Sequence, residues 1–425
     1  MASRTNTFRS LIPKVSKLFD QVTGTTLATS LPKLNGVGYE NFARLSENAQ
    51  IELLQAVKSL QNYAESAKST NERRKRLFRM MSWRQQKICE DVGYLKKLKR
   101  IDQYIQSNQK FLNGIADHAV RSYGLSFHDF AMLKSASSTN QTSTSNYRVI
   151  ESLSHYIRDW SVQGDQETKP MMDYIIANLN TVIPASERHK TCVIVPGSGL
   201  GKIAHAIATM GDGSDSFGSV HAVEYSGLMH LCNKFVYSGS TELVASSPGS
   251  YDIYPGIHTC SNYYTTDSQF RSTKLEPFKN QPSNLSIHLD DFRYFEAPDL
   301  KNWDNVVVVT AFFVDTAENL IDYFDKILAL TTPNKRSNSI KNGYWINVGP
   351  LKYGTAAQAE LNADEIKHVR KAMGWKDKSS VNSLTDPNAY TTDGLVGYVT
   401  DKESMWQGYY GLSMWASERK ENDRK

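Results

Sequence analysis

A glycine-rich turn near the middle of the chain is the feature whose residue types point most directly to chemistry. The segment Val193–Gly201 reads V-I-V-P-G-S-G-L-G and leads into a helix-like stretch, Lys202–Met210. A strand, a glycine turn and a helix in this order are typical of sites for nucleotide-like cofactors, because glycine lets the backbone turn tightly and approach a ligand. A second predicted strand, Ser219–Val223, ends at Glu224, about 20 residues after the glycines, where a carboxylate can bind ribose hydroxyls. The acid and the glycines together favour a cofactor site over the alternative of a plain turn.

Three later apolar segments predict strands, and acidic residues follow two of them. Asn284–Leu289 leads to Asp291, Trp303–Ala311 leads to Asp315, and Tyr344–Val348 precedes a Gly-Pro turn. The valine run of the second segment suits a parallel strand that is buried on both faces. Strands that alternate with helices predict an α/β fold with a doubly wound sheet, in which ligands bind beyond the carboxyl ends of the strands. We therefore expect the glycine turn and the acids to form one site.

The first third of the chain differs in character from the rest. Apolar residues at helical spacing over residues 36–135 predict a helical region. We assign residues 1–134 to this region. The polar, low-complexity stretch 135–146 predicts a linker, since it lacks the apolar side chains that form a core. Residues 147–425 then form the predicted α/β domain, with a final strand expected at Trp406–Trp415.

The stretch Glu72–Arg100 is rich in arginine and lysine, a composition that can neutralise nucleic-acid phosphates. The interleaved aromatic residues Phe78, Trp83 and Tyr94 are expected to face the core, with the charges as a solvated outer face. Nucleic acid is therefore a disfavoured partner. We expect these helices to pack on one edge of the sheet and to support a homodimer.

The overall composition is that of an ordinary globular protein, with 425 residues, 40% hydrophobic and 22% charged residues, and a formal net charge of +5. The 4 cysteines include no CxxC pair. We therefore predict no metal site, and free thiols fit a cytoplasmic or nuclear protein. No apolar run approaches the ~18–20 residues of a membrane span, so we expect no membrane partner.

A compact polar and aromatic motif, R-D-W-S at 158–161, lies between two predicted helices. Arg158 can form a surface salt bridge, which contributes little to stability. It can also bind the carboxylate of a ligand in a bidentate contact. The residues themselves leave both interpretations open.

The motifs at the predicted strand ends resemble those of the carnosine N-methyltransferase family, a branch of the Rossmann-like S-adenosylmethionine-dependent methyltransferases. The most distinctive are F-F-V-D-T-A at 312–317, followed by Asn319, and W-I-N-V-G-P-L at 345–351. The other matching segments are R-D-W-S at 158–161, P-G-S-G-L-G at 196–201, E-Y-S at 224–226 with Met229, residues 254–262, D-F at 291–292, S-M at 404–405 and Y-Y at 409–410. The resemblance implies a Rossmann-like methyltransferase sheet with S-adenosylmethionine as cofactor.

For the cofactor, the resemblance implies a set of binding residues drawn from several strand ends. These residues are His155, Arg158, Gly197, Gly199, Gly201, Glu224, Asp291 and Phe292. Arg158 would meet the methionine carboxylate, and Glu224 would take the ribose hydroxyls. Asp291 would accept a hydrogen bond from the adenine amino group, while Phe292 packs on the adenine ring.

For the acceptor, the resemblance implies that Asp315 hydrogen-bonds an imidazole and that Tyr410 lines its pocket. Tyr409 is the alternative, because the local spacing is one residue longer than in the family. A carboxylate on one ring nitrogen directs the lone pair of the other nitrogen at the methyl group and stabilises the imidazolium that forms. Asp315 would then be the catalytic residue, although a helix N-cap is its other interpretation, since Asp-Thr precedes a helical run.

Three departures from the family pattern bear on these expectations. Gly354 stands where the family has a histidine that contacts substrate, which puts the dipeptide acceptor in question. His155 stands where the family has a glutamine, and Thr332–Asn342 is longer and more polar than the usual turn.

The sequence thus predicts an S-adenosylmethionine-dependent N-methyltransferase acting on an imidazole nitrogen, in a carnosine-type dipeptide or a protein histidine. A non-catalytic relative that binds RNA or another partner is an alternative, motivated by Gly354. The retention of Glu224, Asp291 and Asp315 argues against that alternative. A nicotinamide-dependent oxidoreductase rests on the glycine turn alone and accounts for none of the later motifs.

Overall fold

The fold is given by a computed structural model. It describes residues 42–136, 142–240, 250–276, 280–298, 300–333, 340–381, 391–392 and 394–419.

The described N-terminal part of the chain is helical, as its periodicity predicts. Helix α1 (Glu47–Arg79) begins at Ser46, whose hydroxyl accepts a hydrogen bond from the main chain of Ala49 at 3.3 Å. One face of α1 is buried against the long helix α3 (Tyr94–Tyr123). Two shorter helices, α2 (Trp83–Asp91) and α4 (Phe127–Ala136), flank α3 in the sequence. The pairing of α1 and α3 buries the apolar stripes of both helices.

The segment 135–146, expected to be a linker, is described only at its two ends. Residues 137–141 lie outside the described residues. Helix α5 (Thr142–Trp160) begins within the segment, and α6 (Val162–Val182) follows it directly. The R-D-W-S motif therefore forms the junction between α5 and α6.

The centre of the described domain is a seven-stranded sheet. Its strands are β1 (Thr191–Pro196), β2 (Ser219–Glu224), β5 (Leu285–Leu289), β6 (Asn305–Ala311), β7 (Asn342–Gly349), β8 (Lys376–Val381) and β12 (Ser413–Arg419). Across the sheet they lie in the order β5-β2-β1-β6-β7-β12-β8. From β5 to β7 all neighbours are parallel, whereas β12 runs antiparallel to both β7 and β8. This arrangement confirms the doubly wound, Rossmann-like sheet.

Helices cover the sheet and connect its strands. They are α7 (Lys202–Ala208), α8 (Gly227–Val236), α10 (Leu320–Thr331) and α11 (Ala363–Ala372), with the short α9 (Thr266–Gln269) in an irregular stretch. The remaining strands form two small sheets: β3 (Tyr251–Ile253) with β4 (Thr273–Leu275), and β9 (Thr391–Thr392) and β11 (Tyr409–Tyr410) on either side of β10 (Leu395–Gly397). The strand order reverses between β1 and β6, so the segments that follow these two strands diverge and leave a cleft.

The helical region packs on the helices that cover the sheet. Helix α1 contacts α8 and α5, and a Cβ added at Gly227, the first residue of α8, would lie 2.5 Å from the main-chain oxygen of Glu52. The buried apolar residues of α1, α3 and α8 and those of one sheet face belong to one continuous core. The helical region is therefore built into the α/β domain as a further layer.

Candidate active site

A cavity of about 580 Å³ opens where β1, β2, β5 and β6 end. Six of the ten predicted site residues line it, namely His155, Gly197, Gly199, Glu224, Asp291 and Phe292. Arg158 lines a smaller cavity of about 80 Å³ that shares the glycine turn with the first. The predicted cofactor residues other than Gly201 thus converge on one cleft at the reversal of strand order.

The glycine turn needs glycine at two positions for steric reasons. Gly197, Gly199 and Gly201 all have positive φ angles, of 59°, 53° and 85°. A Cβ added at Gly197 would lie 2.4 Å from the ring of Phe313, and one added at Gly201 would lie 2.4 Å from Asn233 Oδ1. No atom lies within 4 Å of a Cβ built on Gly199, which faces the open cleft. The turn therefore fits the fold closely at both ends and leaves space for a ligand in between.

Glu224, the last residue of β2, is buried and holds the glycine turn in place. Its Oε2 accepts a hydrogen bond of 2.8 Å from the main-chain nitrogen of Gly199, and its Oε1 accepts one of 2.8 Å from that of Ser226. Burial raises the pKa of Glu224 above that of a solvated glutamate. Each carboxylate oxygen has two lone pairs, so Glu224 can accept further hydrogen bonds from hydroxyls in the cleft.

The residues expected at the adenine follow β5. Arg293 donates to both carboxylate oxygens of Asp291, with Nε 3.0 Å from Oδ1 and Nη2 2.6 Å from Oδ2. Burial acts to raise the pKa of Asp291, but these hydrogen bonds outweigh it and hold the pKa below its usual value. Phe292 meets the rings of Phe313 and Tyr323 edge to face, with centroids 5.5 Å and 6.0 Å away. An apolar wall and an ionised carboxylate thus flank this part of the cleft.

Only 11% of the Arg158 side chain is exposed, which argues against the surface salt bridge considered from the sequence. Its Nη1 lies 2.8 Å from Asp159 Oδ1 and its Nε lies 2.9 Å from Glu167 Oε1. The guanidinium carbon is 4.7 Å from the ring centre of Tyr398. Neither ion pair involves Nη2. Close by, Ser198 Oγ is buried without a hydrogen-bond partner among the described residues. The small cavity is therefore lined by an unsatisfied hydroxyl group.

Two aromatic residues of the cleft were not predicted as site residues. Phe312 has a φ of 50°, an unfavourable value for an aromatic residue, and its ring stacks on Tyr398 with centroids 4.4 Å apart. Tyr410, predicted at the acceptor pocket, lies edge to face with both rings at 6.1 Å. The F-F motif was a signal for Phe312, but Tyr398 lies in a loop-rich segment that gave none.

Asp315 lies in the short turn Val314–Thr316 after β6 and is only 8% exposed. Its Oδ2 accepts a hydrogen bond of 3.0 Å from the main-chain nitrogen of Lys352, in the loop after β7. Burial raises the pKa of the Asp315 carboxyl. The N-cap of α10 is Asn319, whose Oδ1 accepts from Ile321 at 3.1 Å, so the N-cap interpretation of Asp315 is wrong. Neither Asp315 nor Tyr410 lines the 580 Å³ cavity. The ring of Tyr410 contacts two lining residues, Phe312 and Tyr398, and Asp315 precedes a third, Thr316, in the chain.

Within the described part of the chain, no cluster of three or more histidine, cysteine or acidic side chains is placed to hold a metal ion. Among the same residues, no helix is both long enough and apolar enough to cross a membrane.

Comparison with known proteins identifies a family for this chain. The model of the family described as carnosine N-methyltransferase matches residues 135–421. A carnosine N-methyltransferase of Schizosaccharomyces pombe is 27% identical over 387 residues, which are 86% of this chain and 94% of that protein. An uncharacterized protein of Saccharomyces cerevisiae is 34% identical over 269 residues, which are 62% of this chain and 53% of that protein. The chain thus matches about half the length of the S. cerevisiae protein.

Solved structures give a more distant likeness. The crystal structure of magnesium protoporphyrin IX methyltransferase from Synechocystis with bound S-adenosylmethionine aligns with a TM-score of 0.31 and 10% identity, over 71% of this chain and 96% of that chain. The family match spans the cleft, the glycine turn and Asp315. The chain belongs to the carnosine N-methyltransferase family of S-adenosylmethionine-dependent enzymes.

Proposed function

We propose that this protein transfers a methyl group from S-adenosylmethionine to an imidazole nitrogen of a histidine-containing acceptor. The observation that carries the proposal is the placement of Asp315. This buried carboxylate lies in the turn after β6, between Phe313 and Thr316 in the chain, both of which line the cleft. The main-chain nitrogen of Lys352 donates to it at 3.0 Å and fixes its orientation. An oriented carboxylate at this edge of the sheet is suited to hold an imidazole.

The cleft fits the cofactor part by part. The glycine turn leaves open space at Gly199, Glu224 offers a buried carboxylate for ribose hydroxyls, and the Phe292 ring supplies an apolar surface for adenine. The unsatisfied Ser198 hydroxyl and Arg158 line the small cavity, where the amino-acid end of S-adenosylmethionine would bind. When bound, S-adenosylmethionine supplies an electrophilic methyl group.

The chain's own contribution to the chemistry is orientation. Asp315 would accept a hydrogen bond from one imidazole N–H, so that the lone pair of the other nitrogen points at the methyl group. The same carboxylate stabilises the positive charge that develops on the ring, as an acid does for the histidine of a catalytic triad. Holding two reactants in line in this way can lower the barrier by several kcal/mol.

The first experiment is a calorimetric titration of S-adenosylmethionine into the wild type and into a Glu224→Ala, Asp291→Ala double variant. We expect binding by the wild type and its loss in the variant. Methyl transfer to β-alanyl-histidine and to histidine-containing peptides then tests the acceptor. A folded wild type that does not bind the cofactor would overturn the proposal and favour a non-catalytic role.

A further inference from the structure

Lys352 is the only residue of the loop after β7 whose main chain is hydrogen-bonded to Asp315 within the described chain. While its main-chain nitrogen donates to Asp315 Oδ2 at 3.0 Å, its ammonium lies 5.6 Å from the ring centre of Tyr410. The side chain is exposed. One residue thus contacts both side chains predicted to bind the acceptor and places a positive charge over the ring of Tyr410.

The loop that carries this ammonium has open space two residues further on. Two residues later, Gly354 is exposed, and no atom lies within 4 Å of a Cβ built on it. Gly354 stands where the family has a substrate-contacting histidine, so a side chain of the family's site is missing here. The space that such a side chain would fill at position 354 is therefore open, in the loop that also carries Lys352.

The ammonium of Lys352 also differs in its partner from lysines that form ion pairs. Lys341 Nζ, for example, lies 2.9 Å from Asp304 Oδ2, so its charge is matched by a carboxylate. Among the described residues, the partner of Lys352 Nζ is instead the face of the Tyr410 ring. A ring face attracts a cation but leaves its charge available to an anion that approaches from solvent.

We propose that Lys352 binds the carboxylate of the acceptor and thereby selects a histidine that carries a free α-carboxylate, the last residue of its peptide. Asp315 would hold the imidazole and Lys352 the carboxylate of the same histidine, two contacts that fix the ring relative to the cleft. The basic residue at position 352 would then replace the histidine missing at 354. A histidine inside a protein chain has no α-carboxylate and would not make the second contact. This inference rests on the proposed function.

The test compares β-alanyl-histidine with its C-terminal amide, which differ only in the charge of that end. The proteins are the wild type, Lys352→Met, which removes the charge but keeps the length, and Lys352→Arg, which restores it. Lys58→Met, an exposed lysine on α1, is the matched control. kcat and KM are measured for both acceptors, and calorimetry with S-adenosylmethionine shows whether each variant keeps its cofactor site.

We expect the wild type to have a kcat/KM about tenfold higher for β-alanyl-histidine than for its amide, mainly through a lower KM. One charge-assisted hydrogen bond contributes a free energy of this size. Lys352→Met should lose this preference, while Lys352→Arg and Lys58→Met retain it. Equal use of both acceptors by the wild type, or an unchanged preference in Lys352→Met, would overturn the role of Lys352 but leave the methyl transfer standing. If a cofactor-binding wild type methylates neither dipeptide nor histidine peptides, the proposed function fails, and this inference fails with it.

Discussion

The carboxylate of Glu224 and the main-chain nitrogen of Gly199 lie 2.8 Å apart, so the end of β2 is tied to the turn that follows β1. The contact joins two residues predicted separately as cofactor ligands and makes them one unit. Because the same carboxylate also accepts from Ser226, it fixes the start of α8 as well. The shape of the cleft therefore depends on this buried acid.

Replacing Glu224 by glutamine should weaken S-adenosylmethionine binding by about 10- to 100-fold. The amide keeps the volume but turns an NH2 group toward one of the two main-chain donors, and the loss of a charged acceptor costs about 1.5–3 kcal/mol. Calorimetric titration of the cofactor measures the change. Glu365→Gln is the matched control, since Glu365 closes a capping box at the exposed start of α11, where glutamine also serves. Equal affinity in Glu224→Gln and the wild type would contradict a role of this acid in the cofactor site.

Alanine at Gly197 and at Gly199 should have different effects on stability. Both residues have positive φ, a strain of about 1–2 kcal/mol for alanine. Only at Gly197 would the new methyl group also meet a ring, that of Phe313, at 2.4 Å. Denaturant unfolding should therefore show a free energy of unfolding lower by ~1 kcal/mol or more in Gly197→Ala than in Gly199→Ala. Equal losses would show that Phe313 can move away without cost.

Asp315→Asn should lower kcat by about 10²- to 10⁴-fold while the affinity for S-adenosylmethionine stays within about twofold. The amide oxygen can still accept from Lys352, but the NH2 group then faces the imidazole and favours the wrong tautomer. Single-turnover methyl transfer to the preferred acceptor is the measurement. Asp325→Asn, on the exposed side of α10, makes the same chemical change away from the site and should have no effect. A kcat unchanged in Asp315→Asn would remove Asp315 from the chemistry.

Two histidines, the buried His230 and the partly buried His258, should make the protein less stable in mild acid. Burial lowers the pKa of His258 to about 4 and that of His230 to about 3, while an unfolded histidine has a pKa near 6.5. Below about pH 6.5 the unfolded state therefore binds more protons, and the free energy of unfolding falls as the pH falls toward 4. Each histidine should cost about 2 kcal/mol at pH 5 relative to pH 7.5.

His258→Gln tests this pH dependence directly. His258 Nε2 lies 2.7 Å from the hydroxyl of Tyr63 on α1, a contact that glutamine can make without titrating. Urea unfolding at pH 7.5 and pH 5 should give a difference in unfolding free energy about 2 kcal/mol smaller in the variant. The exposed His368→Gln is the control and should leave that difference unchanged. An identical pH dependence in His258→Gln and the wild type would mean that His258 titrates normally.

The strands of the sheet centre followed from the sequence because burial on both faces demands long apolar runs. The predicted strand Trp303–Ala311 is observed as β6, Asn305–Ala311. The aromatic run Trp406–Trp415, predicted as one strand, instead contributes to β11 and β12 in two different sheets. Strand β8 reads K-D-K-S-S-V and was not predicted, because an edge strand can be polar and lack the apolar signal.

Helical periodicity predicted helices in the first third of the chain but not which faces are covered. Phe78 is buried, as expected, whereas Trp83 is 81% exposed and the expectation that it faces the core is wrong. No residue of α2 is buried. A periodic pattern shows which side chains share a face, and only the packing of other elements decides whether that face meets solvent.

The sequence by itself determined the residue types of the cleft: glycines at positions that need positive φ, an acid at the end of β2 and an acid after β6. Only the tertiary structure decided their partners. It pairs Arg158 with Glu167, stacks Phe312 on Tyr398, and sets the main chain of Lys352 against Asp315. Local patterns encode backbone conformation and burial, but contacts between distant residues depend on how the whole chain packs. For that reason the chemistry of the site could be predicted from the sequence, whereas the geometry of the site could not.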